Sequence, residues 1–77
     1  MITVRFYAGA REAAGIDSES RSESSVGELR AGLVRDHPDL EPILGHCALL
    51  VDGTLRADDH ELDDAELADV LPPFAGG

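Results

Sequence analysis

The end of the chain carries the residue types best suited to chemistry. It reads DVLPPFAGG, so two prolines precede a short apolar segment and two glycines. The α-carboxylate of Gly77 is the reactive group of this segment, and it is ionised at neutral pH because its ordinary pKa is about 3.5. A carboxylate becomes a useful acyl donor only after ATP-dependent conversion to a mixed anhydride, which a sulfur species or an amine can then attack. The sequence therefore predicts that Gly77 is an acyl donor activated by another protein.

The residues before Gly77 favour a thin, extended arm. Pro72 and Pro73 fix φ and stiffen the exit from the preceding strand. Residues 74–77 can then reach about 13 Å, at about 3.3 Å per residue. Because glycine has no Cβ, the end can enter a channel too narrow for other residues. We predict that the arm inserts into a partner; the alternative is a frayed terminus without function. The residues of this arm, which would insert if the prediction is right, are Pro72, Pro73, Phe74, Ala75 and Gly76, ahead of Gly77.

Composition limits the classes of partner. The 77 residues carry a net charge of −10, and all six basic residues are arginine. This balance disfavours nucleic acid and anionic membranes, which require clustered positive charge. It favours a partner with a basic surface, or simply a solvated acidic surface. Without lysine, no side-chain amine can accept an isopeptide bond, and the single cysteine excludes an internal disulfide.

Targeting signals are missing from the sequence. The N-terminus MITVRFYAGAREAAG has no long apolar region, so it does not resemble a signal peptide. No apolar stretch approaches the roughly 20 residues of a membrane span. We therefore expect a cytoplasmic protein.

The first half of the chain predicts two strands and two helices. ITVRFYA alternates between apolar and polar residues, which is typical of a half-buried strand, and GAREAAG favours a short helix. Residues 17–25 contain no apolar side chain, so they form either a linker or a solvated edge strand. Ser25 and Glu28 fit a capping box, in which each side chain bonds the other's backbone amide. An apolar helical stripe follows, formed by Val26, Leu29, Leu33 and Val34.

The second half predicts a loop, a hairpin and a final strand. Pro38 ends the helix, and DLEPILGHC is expected to be a loop that packs apolar side chains on the core. Asp52-Gly53 lies between two apolar runs and suits a two-residue type I′ turn. LADVL is predicted to be the last strand, with Ala68 and Val70 on one face. The opposite face then carries Leu67, Asp69 and Leu71.

These elements predict an α+β fold. A mixed sheet of four to five strands, with one main helix packed across it, buries the apolar faces. Residues 1–71 form the domain and residues 72–77 form the tail. His46 and Cys47 are adjacent and point apart in a strand, so we expect no metal site and a buried Cys47. The sequence shows no phosphate loop, nucleophile elbow or paired-carboxylate motif, which disfavours an enzyme acting alone.

Three segments together carry a family resemblance. ITVRFYAGAREAAG, LLVDGTL and DVLPPFAGG resemble the small subunits of molybdopterin synthase, within the ubiquitin-like MoaD/ThiS family of sulfur carriers. The resemblance covers essentially the whole chain, and the LPP-x-x-GG end is its most specific part. It implies the β-grasp fold, which has the order of elements predicted above.

The resemblance also implies a mechanism. An E1-like adenylating enzyme would activate Gly77 with ATP, and sulfur from a donor would replace AMP to give a thiocarboxylate. The tail would then enter the large subunit of the synthase, a heterotetramer, and donate sulfur to cyclic pyranopterin monophosphate. On this view the chain binds no permanent cofactor and is not catalytic alone.

The family docks through an apolar patch on the open sheet face, and Tyr7, Leu55 and Leu71 match its positions. Arg11 matches a position near the partner surface. Each apolar residue can instead close the end of a small core, and Arg11 can be a solvated helix charge. Phe74 is bulkier than the residue often found there, and residues 17–25 lack the apolar residues of many second strands.

Other functions stay open at this stage. Carriers for thiazole or cysteine synthesis share the tail chemistry, so the docking partner would choose the sulfur acceptor. A ubiquitin-like modifier would join Gly77 to lysines of other proteins. A β-grasp adaptor with an inert tail is the third alternative.

Overall fold

Alternation at the start of the chain produces a strand, as predicted, and it lies in the interior of the sheet. In the computed structural model, which describes residues 1–63, 65 and 67–73, strand β1 spans Ile2–Phe6. Its apolar residues Ile2, Val4 and Phe6 are buried, whereas Thr3 and Arg5 face outward. The period of two thus places one side of β1 on the core.

Four more strands complete a mixed sheet. They are β2 (Ser18–Arg21), β3 (Ala48–Val51), β4 (Thr54–Leu55) and β5 (Leu67–Leu71). The order across the sheet is β2-β1-β5-β3-β4, and the neighbours are antiparallel except for the parallel pair β1 and β5. A parallel pair needs a long crossover, so the intervening chain passes over one face of the sheet. The predicted α+β class and β-grasp fold are confirmed.

The helices lie on the face that this crossover covers. They are α1 (Ala8–Ala14), α2 (Val26–Asp36) and α3 (Glu41–Leu44), with a 3₁₀ turn at Pro38–Leu40. The segment predicted to be a loop therefore contains the 3₁₀ turn and α3, although it does pack on the core as expected. Its Leu40 and Leu44 are buried and Ile43 is partly buried.

The capping box of α2 is confirmed in one half and wrong in the other. The Glu28 amide donates to Ser25 Oγ at 3.2 Å. The Glu28 carboxylate, however, accepts from the amide of Ser24 at 3.2 Å and from its hydroxyl, and not from the Ser25 amide. The side chain reaches one residue further back because Ser24 offers two donors. The predicted stripe is buried at Val26, Leu29 and Leu33, with Val34 packed at its margin.

The hairpin turn has the predicted backbone. Asp52 and Gly53 have φ values of 49° and 85°, which is the pair of positive values that a type I′ turn requires. Leu50 pairs with Leu55 across this hairpin. The turn thereby fixes which side chains of β3 and β4 share a face.

Residues 18–21 form an edge strand although they are wholly polar. Arg21 anchors this strand, because its side chain is 8% exposed and lies on the inner side of the sheet, opposite Ile2. Nη1 bonds Glu19 at 2.8 Å and Asp36 of α2 at 2.7 Å, while Nε and Nη2 bond Glu23. His37 Nε2 lies 2.8 Å from the Glu19 carboxylate and its ring meets Phe6 edge-on. An ionic cluster therefore holds β2 in place, whereas the burial of apolar side chains stabilises the other strands.

We predict that Arg21→Met lowers the free energy of unfolding by about 2 to 3 kcal/mol at neutral pH. Removal of the guanidinium leaves partly buried carboxylates without their partner, and such losses exceed those of surface pairs. Urea unfolding followed by circular dichroism measures the change. Arg35→Met is the matched control, because Arg35 is exposed and, among the described residues, its side chain bonds Asp36 alone.

At acid pH, the difference in free energy of unfolding between Arg21→Met and the unchanged chain should become smaller. Hydrogen bonds from Arg21 hold the pKa of Glu23 below its usual value. A depressed carboxylate pKa contributes stability above the unfolded pKa of about 4.3, and this contribution is lost as pH falls through the folded pKa. A difference that stays constant from pH 7 to pH 3 would contradict the role given to the ionised cluster.

Candidate functional site

The strand register defines an outer sheet face, opposite the helices. A row of paired residues crosses all five strands, from Ser18 through Arg5, Asp69 and Leu50 to Leu55. Alternation along each strand assigns every second residue, counted from this row, to the same face. We call this surface the outer sheet face, and its residues are Thr3, Arg5, Ser18, Ser20, Ala48, Leu50, Leu55, Leu67, Asp69 and Leu71.

The predicted docking residues Tyr7 and Leu71 lie at one end of the outer sheet face. The Tyr7 amide donates to the carbonyl of Val70 at 3.3 Å, which continues the pairing of β1 with β5. Both side chains are half-buried. Ala8 has a left-handed φ of 49°, which is strained for an L residue. This turn ends β1 and places Tyr7 where β5 also ends.

Leu55 lies apart from this pair, on the edge strand β4. It is 64% exposed, the largest exposure of a leucine in the described part of the chain. Leu50, its partner across the hairpin, fills the space towards β5 and is half-buried. Leu50 was missing from the predicted patch, although its alternation with Leu49 in ALLV could have revealed it.

Arg11 is exposed on α1, outside the sheet itself. It lines an open cleft together with Arg5 and Tyr7, and its guanidinium is 3.7 Å from Asp17. An exposed pair at this distance contributes little to stability. The structure therefore brings Arg11 close to Tyr7 and away from Leu55.

An ion pair lies at the centre of the outer sheet face. Arg5 donates from Nε to Asp69 Oδ1 at 2.7 Å and from Nη2 to Asp69 Oδ2 at 3.2 Å. Tyr7 donates its hydroxyl to Asp69 Oδ1 at 3.2 Å, and the Arg5 guanidinium lies 5.8 Å from the centre of the Tyr7 ring. The Asp69 side chain is only 13% exposed as a result. The alternation in LADVL correctly predicted Asp69 on this face, whereas its pairing with Arg5 was not predicted.

The outer sheet face differs in charge from the rest of the molecule. The chain contains 16 acidic residues, yet Asp69 is the only one among the outward-facing residues of the described strands. Arg5 neutralises it. A neutral and half-apolar surface on so acidic a chain has the character of an interaction site.

The tail leaves the sheet beside this surface. Strand β5 ends at Leu71 as predicted, followed by half-buried Pro72 and exposed Pro73. The predictions for Phe74, Ala75, Gly76 and Gly77 fall outside the described residues. Since β5 pairs with β1 and β3, the tail begins at the middle of the sheet, next to Tyr7.

The one thiol of the chain is buried, as predicted. Cys47 Sγ lies 3.3 Å from the carbonyl oxygen of Ile43, to which it donates. Burial raises the pKa of this thiol. Within residues 1–63, 65 and 67–73, no three His, Cys, Asp or Glu side chains are grouped so that they could hold a metal ion. The helices of the same residues include none that is long and apolar enough to cross a membrane.

Comparisons with known proteins agree with this geometry. The small archaeal modifier protein 1 of Methanosarcina acetivorans is 23% identical and superposes with a TM-score of 0.85, over 99% of this chain and 95% of that one. Subunit 1 in the complex of subunits 1 and 2 of the molybdopterin-converting factor of Helicobacter pylori is similar too. That match has 26% identity and a TM-score of 0.72, over 99% of this chain and 97% of the other. No curated protein gives a match to the sequence.

The fold and the outer sheet face define a ubiquitin-like protein of the β-grasp class. The ThiS family model matches residues 4–77, which include the glycine end. The chain therefore belongs to the ThiS family. Together with the MoaD proteins, this family makes up the ubiquitin-like sulfur carriers.

We predict that Cys47 reacts at least about 100-fold more slowly with a thiol reagent in the native chain than in urea. Burial and the raised pKa both keep the reactive thiolate scarce. Absorbance of the released chromophore from a disulfide reagent measures the rate. Equal rates in the two conditions would show that the thiol is accessible in the folded protein.

Proposed function

We propose that the chain is the sulfur-carrying small subunit of a molybdopterin synthase. The observation that carries this proposal is the sequence PPFAGG directly after β5, a strand that contributes to the neutral outer sheet face. The similarity to subunit 1 of a molybdopterin-converting factor, a protein seen in complex with its subunit 2, supports the choice of pathway.

The proposed chemistry takes place at Gly77. Its carboxylate attacks the α-phosphate of ATP on an E1-like adenylating enzyme, so that pyrophosphate leaves and an acyl-adenylate forms. Sulfide-level sulfur from a donor then attacks the carbonyl carbon, and AMP leaves, which gives the thiocarboxylate. The thiocarboxylate sulfur displaces an oxygen substituent from a carbon of cyclic pyranopterin monophosphate, and water then hydrolyses the acyl–sulfur bond, which returns Gly77 to a carboxylate. Two such donations supply the two sulfurs of molybdopterin.

The chain's own contribution is docking and presentation. The outer sheet face would bind the large subunit through Tyr7, Leu55 and Leu71, with Arg11 near the contact. Pro72 and Pro73 would direct residues 74–77 into its active site, where the partner supplies acid and base groups. ATP is used by the adenylating enzyme, and the synthase would be a heterotetramer of two small and two large subunits. None of these proposed partners is a membrane or a nucleic acid, and we propose that the protein acts in the cytoplasm.

Two alternatives share the same tail. A carrier for thiazole or cysteine synthesis would pass sulfur from Gly77 to a different acceptor, chosen by the docking partner. A protein modifier would join Gly77 to lysines, and the similarity in fold to small archaeal modifier proteins favours this second candidate. Co-purification separates the first alternative, because it identifies either a pterin-binding subunit or another acceptor enzyme. A search for Gly-Gly-modified lysines in cells with tagged chain tests the second.

We predict a mass gain of about 16 Da when the purified chain is incubated with its adenylating enzyme, ATP and a sulfur donor. Exchange of one oxygen for sulfur in the Gly77 carboxylate accounts for this change, since it forms a stronger nucleophile. Intact-mass spectrometry measures it. A chain that lacks Gly76 and Gly77 is the control and should gain nothing. No gain by the full chain, with an enzyme shown to be active, would refute the proposal.

We predict that Leu55→Asp weakens binding to the large subunit at least about tenfold and changes the free energy of unfolding by less than about 0.5 kcal/mol. Leu55 is mostly exposed in the free chain, so a charge there is costly only when a partner covers it. Calorimetric titration and urea unfolding measure the two quantities. Ile16→Asp is the matched control, because Ile16 is also exposed but precedes β2 outside the outer sheet face. Equal losses in both variants would contradict docking through this face.

A further inference from the structure

The guanidinium of Arg5 has one occupied edge and one open edge. Nε and Nη2 hold the two oxygens of Asp69. Nη1 makes no hydrogen bond with any described residue, and the Arg5 side chain is 47% exposed. The hydrogen-bond donors of the open edge are therefore available to a partner that binds the outer sheet face.

Arg21 shows how the same group behaves when it is covered. Its Nε and Nη2 hold one carboxylate, that of Glu23, as the same two atoms of Arg5 hold Asp69. Its Nη1 bonds two further carboxylates, and the whole side chain is buried. Within one chain, the buried guanidinium thus has anions on both edges, whereas the outward-facing one has an anion on a single edge.

Docking would cover Arg5 as well. Tyr7, Leu50 and Leu71 lie on the same side of the sheet as Arg5, so a partner that packs on them removes water from the open edge. Donors left without an acceptor after such desolvation would weaken the complex. Asp69 cannot supply that acceptor, because Arg5 and Tyr7 already engage its carboxylate.

We propose that the partner of the outer sheet face carries a carboxylate, within an apolar surface, that binds Nη1 of Arg5. This inference rests on the proposed function, since it takes the large subunit as the partner. It makes Arg5 a specificity-determining residue at the centre of the interface, with the apolar residues packed around it. Charge-assisted bonds of this kind discriminate between partners more than they add affinity. A partner with a basic or purely apolar centre would be rejected, although the chain as a whole is acidic.

The experiment must separate a contact with the partner from simple neutralisation of Asp69. The double variant Arg5→Gln, Asp69→Asn does so, because it leaves no unpaired charge on the face. The probe is the purified large subunit of molybdopterin synthase from the same organism, titrated by calorimetry at several salt concentrations. Asp69→Asn alone keeps the guanidinium. Arg56→Gln is the matched control for net charge, since Arg56 is exposed and follows β4 outside the outer sheet face.

We expect the double variant to bind at least about tenfold more weakly than the unchanged chain, with a smaller dependence of Kd on salt. Asp69→Asn and Arg56→Gln should stay within about threefold. The swapped variant Arg5→Glu, Asp69→Arg keeps an ion pair across β1 and β5, so it covers the case in which the first variant does not fold. It should also lose at least about tenfold.

The outcomes distinguish a failure of this inference from a failure of the proposed function. If the double variant and the swapped variant bind as tightly as the unchanged chain, Arg5 only neutralises Asp69 and the inference is wrong, while the proposed function stands. A loss in Arg56→Gln equal to that in the double variant would also overturn it, because net charge would then explain the effect. If the unchanged chain does not bind the large subunit, the proposed function is wrong and this inference is wrong with it.

Discussion

The parallel pairing of β1 with β5 is the constraint on which the rest of the structure depends. Because parallel neighbours cannot be joined by a tight turn, the chain must cross one face of the sheet between β1 and β5, and α2 is the main helix of this crossover. The same pairing makes β1 and β5 end together. Tyr7 and the start of the tail therefore lie side by side at the middle of the sheet, where a docked partner could reach both.

The two faces of the sheet are stabilised by different interactions. On the inner face, aliphatic side chains of the strands pack against α2 in a dry core, which is the main source of stability in a small domain. The edge strand β2 has no such side chains and is held by Arg21 and its carboxylates instead. The outer sheet face is neutral and half-apolar, so it remains available for binding.

The folded part of this chain and its glycine end have separate roles. The folded part contains one buried thiol, Cys47, and no lysine, so it offers few groups that could intercept an activated acyl end. The reactive carboxylate of the proposed mechanism belongs to Gly77, at the end of the tail. The folded part then serves to select a partner, through shape and through the Arg5 and Asp69 pair. That arrangement suits a carrier whose catalysts are other proteins.

The sequence by itself determined most of the strands, helices and turns and their order along the chain. Alternation marked β1 and β5, and Asp52-Gly53 marked the hairpin, because these signals act over a few residues; the glycine end is likewise a property of covalent order. The polar residues 18–21 were ambiguous, since nothing near them in sequence says whether a strand or a linker forms. Only the tertiary structure decided that β2 is an edge strand and that Arg5 meets Asp69, 64 residues away. Such contacts depend on the register of distant strands, which the burial of the whole core sets and no local pattern encodes.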